Sequence, residues 1–181
     1  MRRLATLLSL VPLALPAGHT KVFVGQTSIR YADQFARETG VEPRGGMWYA
    51  AAYEDPAPRL AEIAQAVRTH PGLEVSLGLS LGSVSTPEAP RTAAIAAGVY
   101  DAQLDALATG LRKLPATVFL RIGYEFDLLG GQYGPAETYK LADRHIVDRL
   151  RAGGVKNVVY VWHSAGAFWR ADSSLLGQAQ G

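Results

Sequence analysis

The residues best equipped for chemistry lie in one stretch, Arg121-Ile122-Gly123-Tyr124-Glu125-Phe126-Asp127. A carboxylate at the carboxyl end of a barrel strand stands where such folds do their catalysis. Alternation with a period of two puts Arg121 and Glu125 on one face of an extended strand. Four steps of about 3.3 Å separate them by about 13 Å, so they are not a contact pair. Glu125 then stands at the mouth, with Arg121 one layer below it. The same residues also fit a plainer reading, a solvated loop glutamate beside a buried and paired arginine.

A second pattern competes. Gly78-Leu79-Ser80-Leu81-Gly82 satisfies G-x-S-x-G after a strand, and Asp127 and His163 follow in the chain order of a serine esterase triad. That chemistry needs a sharp turn from strand into helix to lift the serine over the sheet. Here the continuation is Ser83-Val84-Ser85-Thr86-Pro87, so no helix begins, and Ser80 alternates with leucines like any strand residue. Other chemistries lack their parts. The chain has no cysteine, and His19, His70, His145 and His163 are scattered without metal-ligand spacing, so neither metal nor cofactor is expected. No glycine-rich phosphate loop follows the first strand.

Aromatic residues cluster near the expected strand ends: Trp48, Tyr49 and Tyr53, then Tyr124, Phe126 and Tyr133, then Trp162, Phe168 and Trp169. Flat rings cover apolar ligand faces well, although most aromatics in any such set are core. Trp162 is the preferred platform, sharing a face with Tyr160 opposite Val159 and Val161, and Trp48 is a further candidate. Gln26, Tyr124 and His163 are candidates for polar contacts.

These residues need elements to position them. Short β-like runs at 21–26, 46–53, 73–81, 117–123 and 156–162 alternate with amphipathic runs at 28–39, 58–69, 100–114 and 135–152. Ser28 reads as a helix cap and Gly40 as a stop, and a long loop holds Pro87 and Pro90. Repeated βα units predict an α/β fold with a parallel sheet. In the fourth strand Val118, Leu120 and Ile122 oppose Thr117, Phe119, Arg121 and Gly123. One apolar face and one mixed, charged face suit a TIM-type (β/α)8 barrel better than an open sheet covered on both sides. A complete barrel takes about 250 residues. The 181 residues here show five strands, so the expectation is a partial barrel holding the first five βα units.

Composition bounds the rest. With 48% hydrophobic and 19% charged residues, the chain can bury a sizeable core and is not a disordered polymer. Eighteen basic residues face 16 acidic ones, and two of the basic ones are Arg2 and Arg3. Without residues 1–18 the balance is 16 against 16, so no nucleic-acid partner is expected. Arg2-Arg3, the apolar run 4–15 and Pro16-Ala17-Gly18 resemble a signal peptide, too short to span a bilayer. That predicts a secreted or periplasmic protein with no membrane association after its removal, and a barrel part over 19–181.

Several stretches together resemble glycoside hydrolase family 26, the β-mannanase and endo-β-glycanase family. They are VGQTSIRYADQFARETGVEPRGGMWY, IAAGVYDAQLDALATGL, VFLRIGYEFD and YKLADRHIVDRLRAGGVKNVVYVWHS, covering about residues 22–164 in family order. The resemblance implies a (β/α) barrel in which Glu125 is the general acid/base. It also implies a β-linked polysaccharide substrate such as mannan or β-glucan. Arg121, Tyr124, Trp162, His163 and Trp48 are then the expected sugar-side residues. The family usually carries histidine just before its glutamate, where this chain has Tyr124. A retaining mechanism needs a second carboxyl group about 5–5.5 Å away, and in the family that nucleophile ends strand seven, beyond residue 181. Asp127 is too near in sequence to approach the sugar from the other side. The chain alone is therefore expected to hydrolyse glycosides poorly, with a non-catalytic carbohydrate-binding remnant as the alternative.

Overall fold

A computed structural model of the chain describes residues 22–25, 29–83, 89–128 and 131–165. Five strands, β1 (Phe23–Val24), β2 (Gly45–Ala51), β3 (Glu74–Ser80), β4 (Val118–Ile122) and β5 (Val158–Tyr160), pair in parallel in sequence order. Between them run α1 (Arg30–Thr39), α2 (Ala57–Thr69), α3 (Thr92–Ala96), α4 (Asp101–Lys113) and α5 (Ala136–Ala152). This is the α/β architecture expected from the alternation, with every strand one step along from its predecessor, as in the first five units of a barrel.

Local chemistry accounts for most boundaries. Gly40 ends α1 in the left-handed region at φ 71°, its N–H donating to the Ala36 carbonyl, a conformation glycine adopts without steric cost. Ser28, the expected cap of α1, lies outside the described residues. The Asp55 carboxylate accepts the Ala57 N–H at 3.0 Å and opens α2. Beyond β5 the ladder continues by one bond, Val161 N–H to the Leu120 carbonyl at 2.8 Å. The helix α3 is a correction, because the stretch after Pro90 reads as loop. Its five residues are too few to show a helical period, yet they bury Thr92 and Ile95. The Thr92 hydroxyl then donates to the Tyr133 carbonyl at 3.0 Å.

Register assigns the two faces of the sheet. Trp48, Leu77, Leu120 and Tyr160 form one row of partners, and Tyr49, Gly78 and Arg121 form the next. Neighbouring rows point to opposite sides. The first row, with Val75, Leu79, Val118 and Ile122, packs under Leu60 and Ile63 of α2, Leu104, Leu107 and Leu111 of α4, and Ile146 and Leu150 of α5. Each such side chain contributes roughly 1.5–3 kcal/mol of hydrophobic stabilisation relative to exposure. Helices α2 and α4 approach so closely that a Cβ on Gly110 would stand 2.3 Å from Leu60 Cδ1. His145, placed mid-helix in the sequence, pairs with Asp101 across the α4–α5 contact at 2.6 Å, and Arg149 holds Asp105 alongside at 2.6 Å.

The opposite face is mixed, as a barrel lumen requires. It carries Met47, Tyr49, Glu74, Ser76, Gly78, Phe119 and Arg121. At its amino-terminal end Phe23 meets Phe119 edge-on at 5.4 Å. Asn157 locks β5 into place from below, its Nδ2 donating to the carbonyls of Leu111, Leu114 and Ala116 at 3.0–3.1 Å. Replacing it removes the side-chain donor that these half-buried carbonyls share. Asn157→Ala is expected to cost about 1–3 kcal/mol, at about 2–4 °C of melting temperature per kcal/mol for a chain this size. Thermal unfolding followed by circular dichroism checks this, and an unchanged midpoint contradicts it.

Candidate active site

Strand β4 does not run extended to Glu125. It ends at Ile122, and the backbone then turns through two left-handed residues, Gly123 at φ 54° and Glu125 at φ 55°. Glycine is required at the first of these on two counts, because a Cβ there would also stand 2.5 Å from the Tyr139 ring. Glutamate at the second is strained, by about 1–2 kcal/mol. Such strain persists only where the surroundings over-determine it, and here they do. The Glu125 N–H donates to the His163 carbonyl at 2.8 Å, and the Leu128 N–H donates to the Glu125 carbonyl at 2.9 Å. Gln132 Nε2 donates to the Glu125 carbonyl at 2.8 Å and to the Tyr124 carbonyl at 2.9 Å. Hydroxyls of Tyr133 and Tyr139 donate to the carbonyls of Tyr124 and Ile122. Glu125 is thereby presented half-buried at the carboxyl end of the sheet. Its charge acts on the ionisation of Tyr124 and His163.

Arg121 lies beneath, 7% exposed. Its guanidinium sits 5.2 Å from the Tyr49 ring centroid and 5.7 Å from that of Tyr124. The two rings meet edge-on at 5.1 Å over Gly78, where any Cβ would come within 3 Å of both. Cation–π attraction compensates part of the buried charge. Arg121 Nε and Nη2, and His163 Nδ1, are buried with no hydrogen-bond partner among the described residues. Burial, with Tyr49 next, pushes the Tyr124 phenol above its ordinary pKa, so it holds its proton more tightly. Burial, with the Arg121 charge second, holds His163 below its ordinary 6.5, against the pull of Glu125 and Asp127.

The structure thus brings Arg121, Tyr124, Glu125 and His163 together and separates the two tryptophans from them. Trp48 is a correction. It is fully buried on the helix side, its Nε1 donating to Glu62 at 3.1 Å, because register puts it in the Leu77 row. Trp162 is 65% exposed and meets the Phe126 ring at a tilt, centroids 4.3 Å apart, and the Tyr139 ring of α5 edge-on at 6.0 Å. It therefore belongs to the helix side of the β4–β5 rim, and Tyr49 with Tyr124 supplies the aromatic wall beside Arg121. The esterase arrangement is not assembled. Asp127 receives the Ser164 hydroxyl at 2.5 Å and the Ala165 N–H at 2.6 Å, and Ser80 lies within β3 without a strained turn. Gln26, Phe168, Trp169, residues 1–18 and the tail carboxylate Asp172 lie outside the described residues. The sequence reading missed Gln132, whose surroundings (GGQYG) carry no local signal. It also missed the role of Tyr49, which Gly78 in the same register row makes possible. Among the described residues no group of three or more acidic or histidine side chains is placed to hold a metal, and no helix is long and apolar enough to cross a membrane.

Chemically, the arrangement offers one glutamate on a tethered backbone, a neighbouring cation and an imidazole held below its ordinary ionisation. Two outcomes follow. Glu125→Gly relieves the left-handed strain and is expected to raise stability by about 1 kcal/mol, read as a higher unfolding midpoint; a lower one contradicts the strain. Because His163 is depressed when folded, the unfolded chain takes up its proton first. Its contribution is therefore nil above pH 6.5 and turns destabilising as pH falls below that value. His163→Asn is expected to flatten this part of the stability–pH curve. An unaltered curve refutes the assignment.

No family model matches the chain, and no curated protein matches its sequence. Solved structures do. The GH26C structure from a Muricauda species superposes with a TM-score of 0.61 at 14% identity, over 89% of this chain and 55% of that one. A modular endo-β-1,4-mannanase from Cellulomonas fimi, described with the glycoside hydrolase family 26 mannanases, gives 0.63 at 17% identity over 89% and 46%. At such identity the likeness is one of fold. The chain spans about half the length of the structures it matches, and over that half it has the α/β fold of TIM-barrel glycoside hydrolases.

Proposed function

We propose that this chain carries the acid/base side of a secreted or periplasmic glycoside hydrolase of the family 26 type, acting on a β-linked polysaccharide such as mannan or β-glucan. The observation that carries the reading is Glu125. It follows the carboxyl end of β4 on a strained, multiply tethered backbone, just after a buried arginine that lies against the rings of Tyr49 and Tyr124. Strain held in place by its surroundings is a feature of functional sites. The fold shared with glycoside hydrolases supports the reading, as do the stretches that resemble family 26. The apolar leader over residues 1–18 supports export.

In the reaction, Glu125 gives its proton to the glycosidic oxygen as the bond to the anomeric carbon breaks. A second carboxylate attacks that carbon from the other side, and Glu125 then takes a proton from the water that releases the sugar. Asp127 is engaged with Ser164 and Ala165, so the second carboxylate comes from elsewhere. Tyr124 and His163 line the sugar side, with Trp162 at the rim. The lack of a free second carboxylate beside Glu125 among the described residues favours one further reading, a carbohydrate-binding unit without catalysis.

Reducing-sugar release from mannan and β-glucan separates the two. In the catalytic reading Glu125→Gln lowers turnover by about a hundredfold to ten-thousandfold. Turnover indifferent to that change overturns the role of Glu125. Binding without hydrolysis by the wild type, surviving Glu125→Gln, establishes the binding unit instead.

A further inference from the structure

Strand β5 ends the sheet, so among the described residues one of its long sides is open. Such edges pair with other chains unless a charge, a proline or a bulge interrupts them. From Asn157 to Trp162 the sequence NVVYVW holds neither charge nor proline, and Val159 is 45% exposed. The ladder to β4 decides which backbone groups face outward. Val118 N–H donates to the Asn157 carbonyl and Val161 N–H to the Leu120 carbonyl, in the register that pairs Phe119 with Val159. Asn157, Val159 and Val161 therefore turn their backbone groups towards β4, and Val158 and Tyr160 turn theirs away.

The geometry points to a second copy of this chain on that edge, its β5 antiparallel to the first about a two-fold axis at Val159. Val158 of each copy then faces Tyr160 of the other, and each such pair exchanges both N–H···O=C bonds. Opposed side chains share a face. Val159 meets its own copy on the lumenal side, and on the helix side the exposed Trp162 ring meets the exposed Lys156 of the second copy, a cation against a ring.

Helix α5 supplies a second, independent match. Asp143, Val147 and Arg151 follow one another at four-residue steps along one stripe. Arg151 reaches over the Tyr160 ring at 5.6 Å, and the charges of Asp143, Asp148 and Arg151 all act on that phenol, so Val147 stands level with β5 beside the axis. The axis sets the two α5 helices antiparallel and puts Asp143 of each copy against Arg151 of the other. Burial holds the Asp143 carboxyl above its usual range against the pull of Arg144, a charge that a partner's cation would answer. The assembly is a continuous sheet with the two Glu125 ends pointing opposite ways, and it does not depend on the glycan reading.

Sedimentation equilibrium of the full chain from micromolar to millimolar concentration is expected to show reversible association to twice the chain mass. Val159→Lys sets two ammonium groups face to face at the axis and is expected to weaken association by about a hundredfold or more. Asp143→Arg and Arg151→Asp are each expected to weaken it about tenfold, and the two together to restore it. Circular dichroism checks that each variant folds. Hydrogen exchange at the Val158 and Tyr160 amides is expected to slow as the dimer forms. If Val159→Lys does not fold, the wild-type mass and amide exchange still decide. A chain monomeric throughout overturns the proposal, and protection of those amides in the monomer assigns the edge to another segment of the same chain. A dimer that survives Val159→Lys, or one in which those amides exchange freely, places the contact elsewhere and overturns it too. A folded double variant no better than the single ones overturns the pairing of α5 with its copy.

Discussion

One backbone hydrogen bond joins the parts of this molecule that matter for chemistry, the 2.8 Å bond from the Glu125 amide to the His163 carbonyl. It ties the loop after β4 to the loop after β5 at the level where the sheet ladder has ended. With the bonds from Leu128 and Gln132 to the Glu125 carbonyl, it holds the left-handed turn against the ordinary preference of an L-residue. Asp127 strengthens the same junction from the other direction by gripping Ser164 and Ala165. The acidic residues of the stretch therefore differ, Glu125 being held through its backbone and Asp127 through its side chain.

Below that junction the sheet is a two-sided object. The helix side is sealed by leucines and isoleucines and sets the register. The lumenal side inherits its geometry from that register, so Tyr49, Gly78 and Arg121 fall in one row because Trp48, Leu77 and Leu120 fall in the next. Packing on one face thus places chemistry on the other. A slip of one residue would exchange the faces and bury tyrosines among leucines.

Much of this was legible from residue order. Alternating valines, leucines and isoleucines located β3 and β4 within a residue or two, and glycine and proline marked several element ends. The faces of β2 were not legible, because GMWYAAAY is apolar on both sides. Only pairing with β3, where Leu77 opposes Trp48 and Gly78 opposes Tyr49, decides which ring is core. Trp162 misled for a related reason, since alternation fixes its face relative to Val159 but not where α5 stands. The strict period of two also failed beyond Ile122, where backbone turns rather than strand geometry carry Glu125. Gln132 was illegible because its work is done on carbonyls of a loop, which leave no periodic trace.

Tyr124 has a consequence for how its surroundings behave in acid and base. Burial makes its phenol harder to ionise, so it keeps its proton and stays uncharged throughout the range in which carboxyl and imidazole groups change state. A histidine in that seat, as in the resembled family, would switch between neutral and cationic near neutrality and alter its neighbour's surroundings with every change of medium. With tyrosine there, the glutamate next to it has a companion of constant charge, and acidity is sensed by fewer groups.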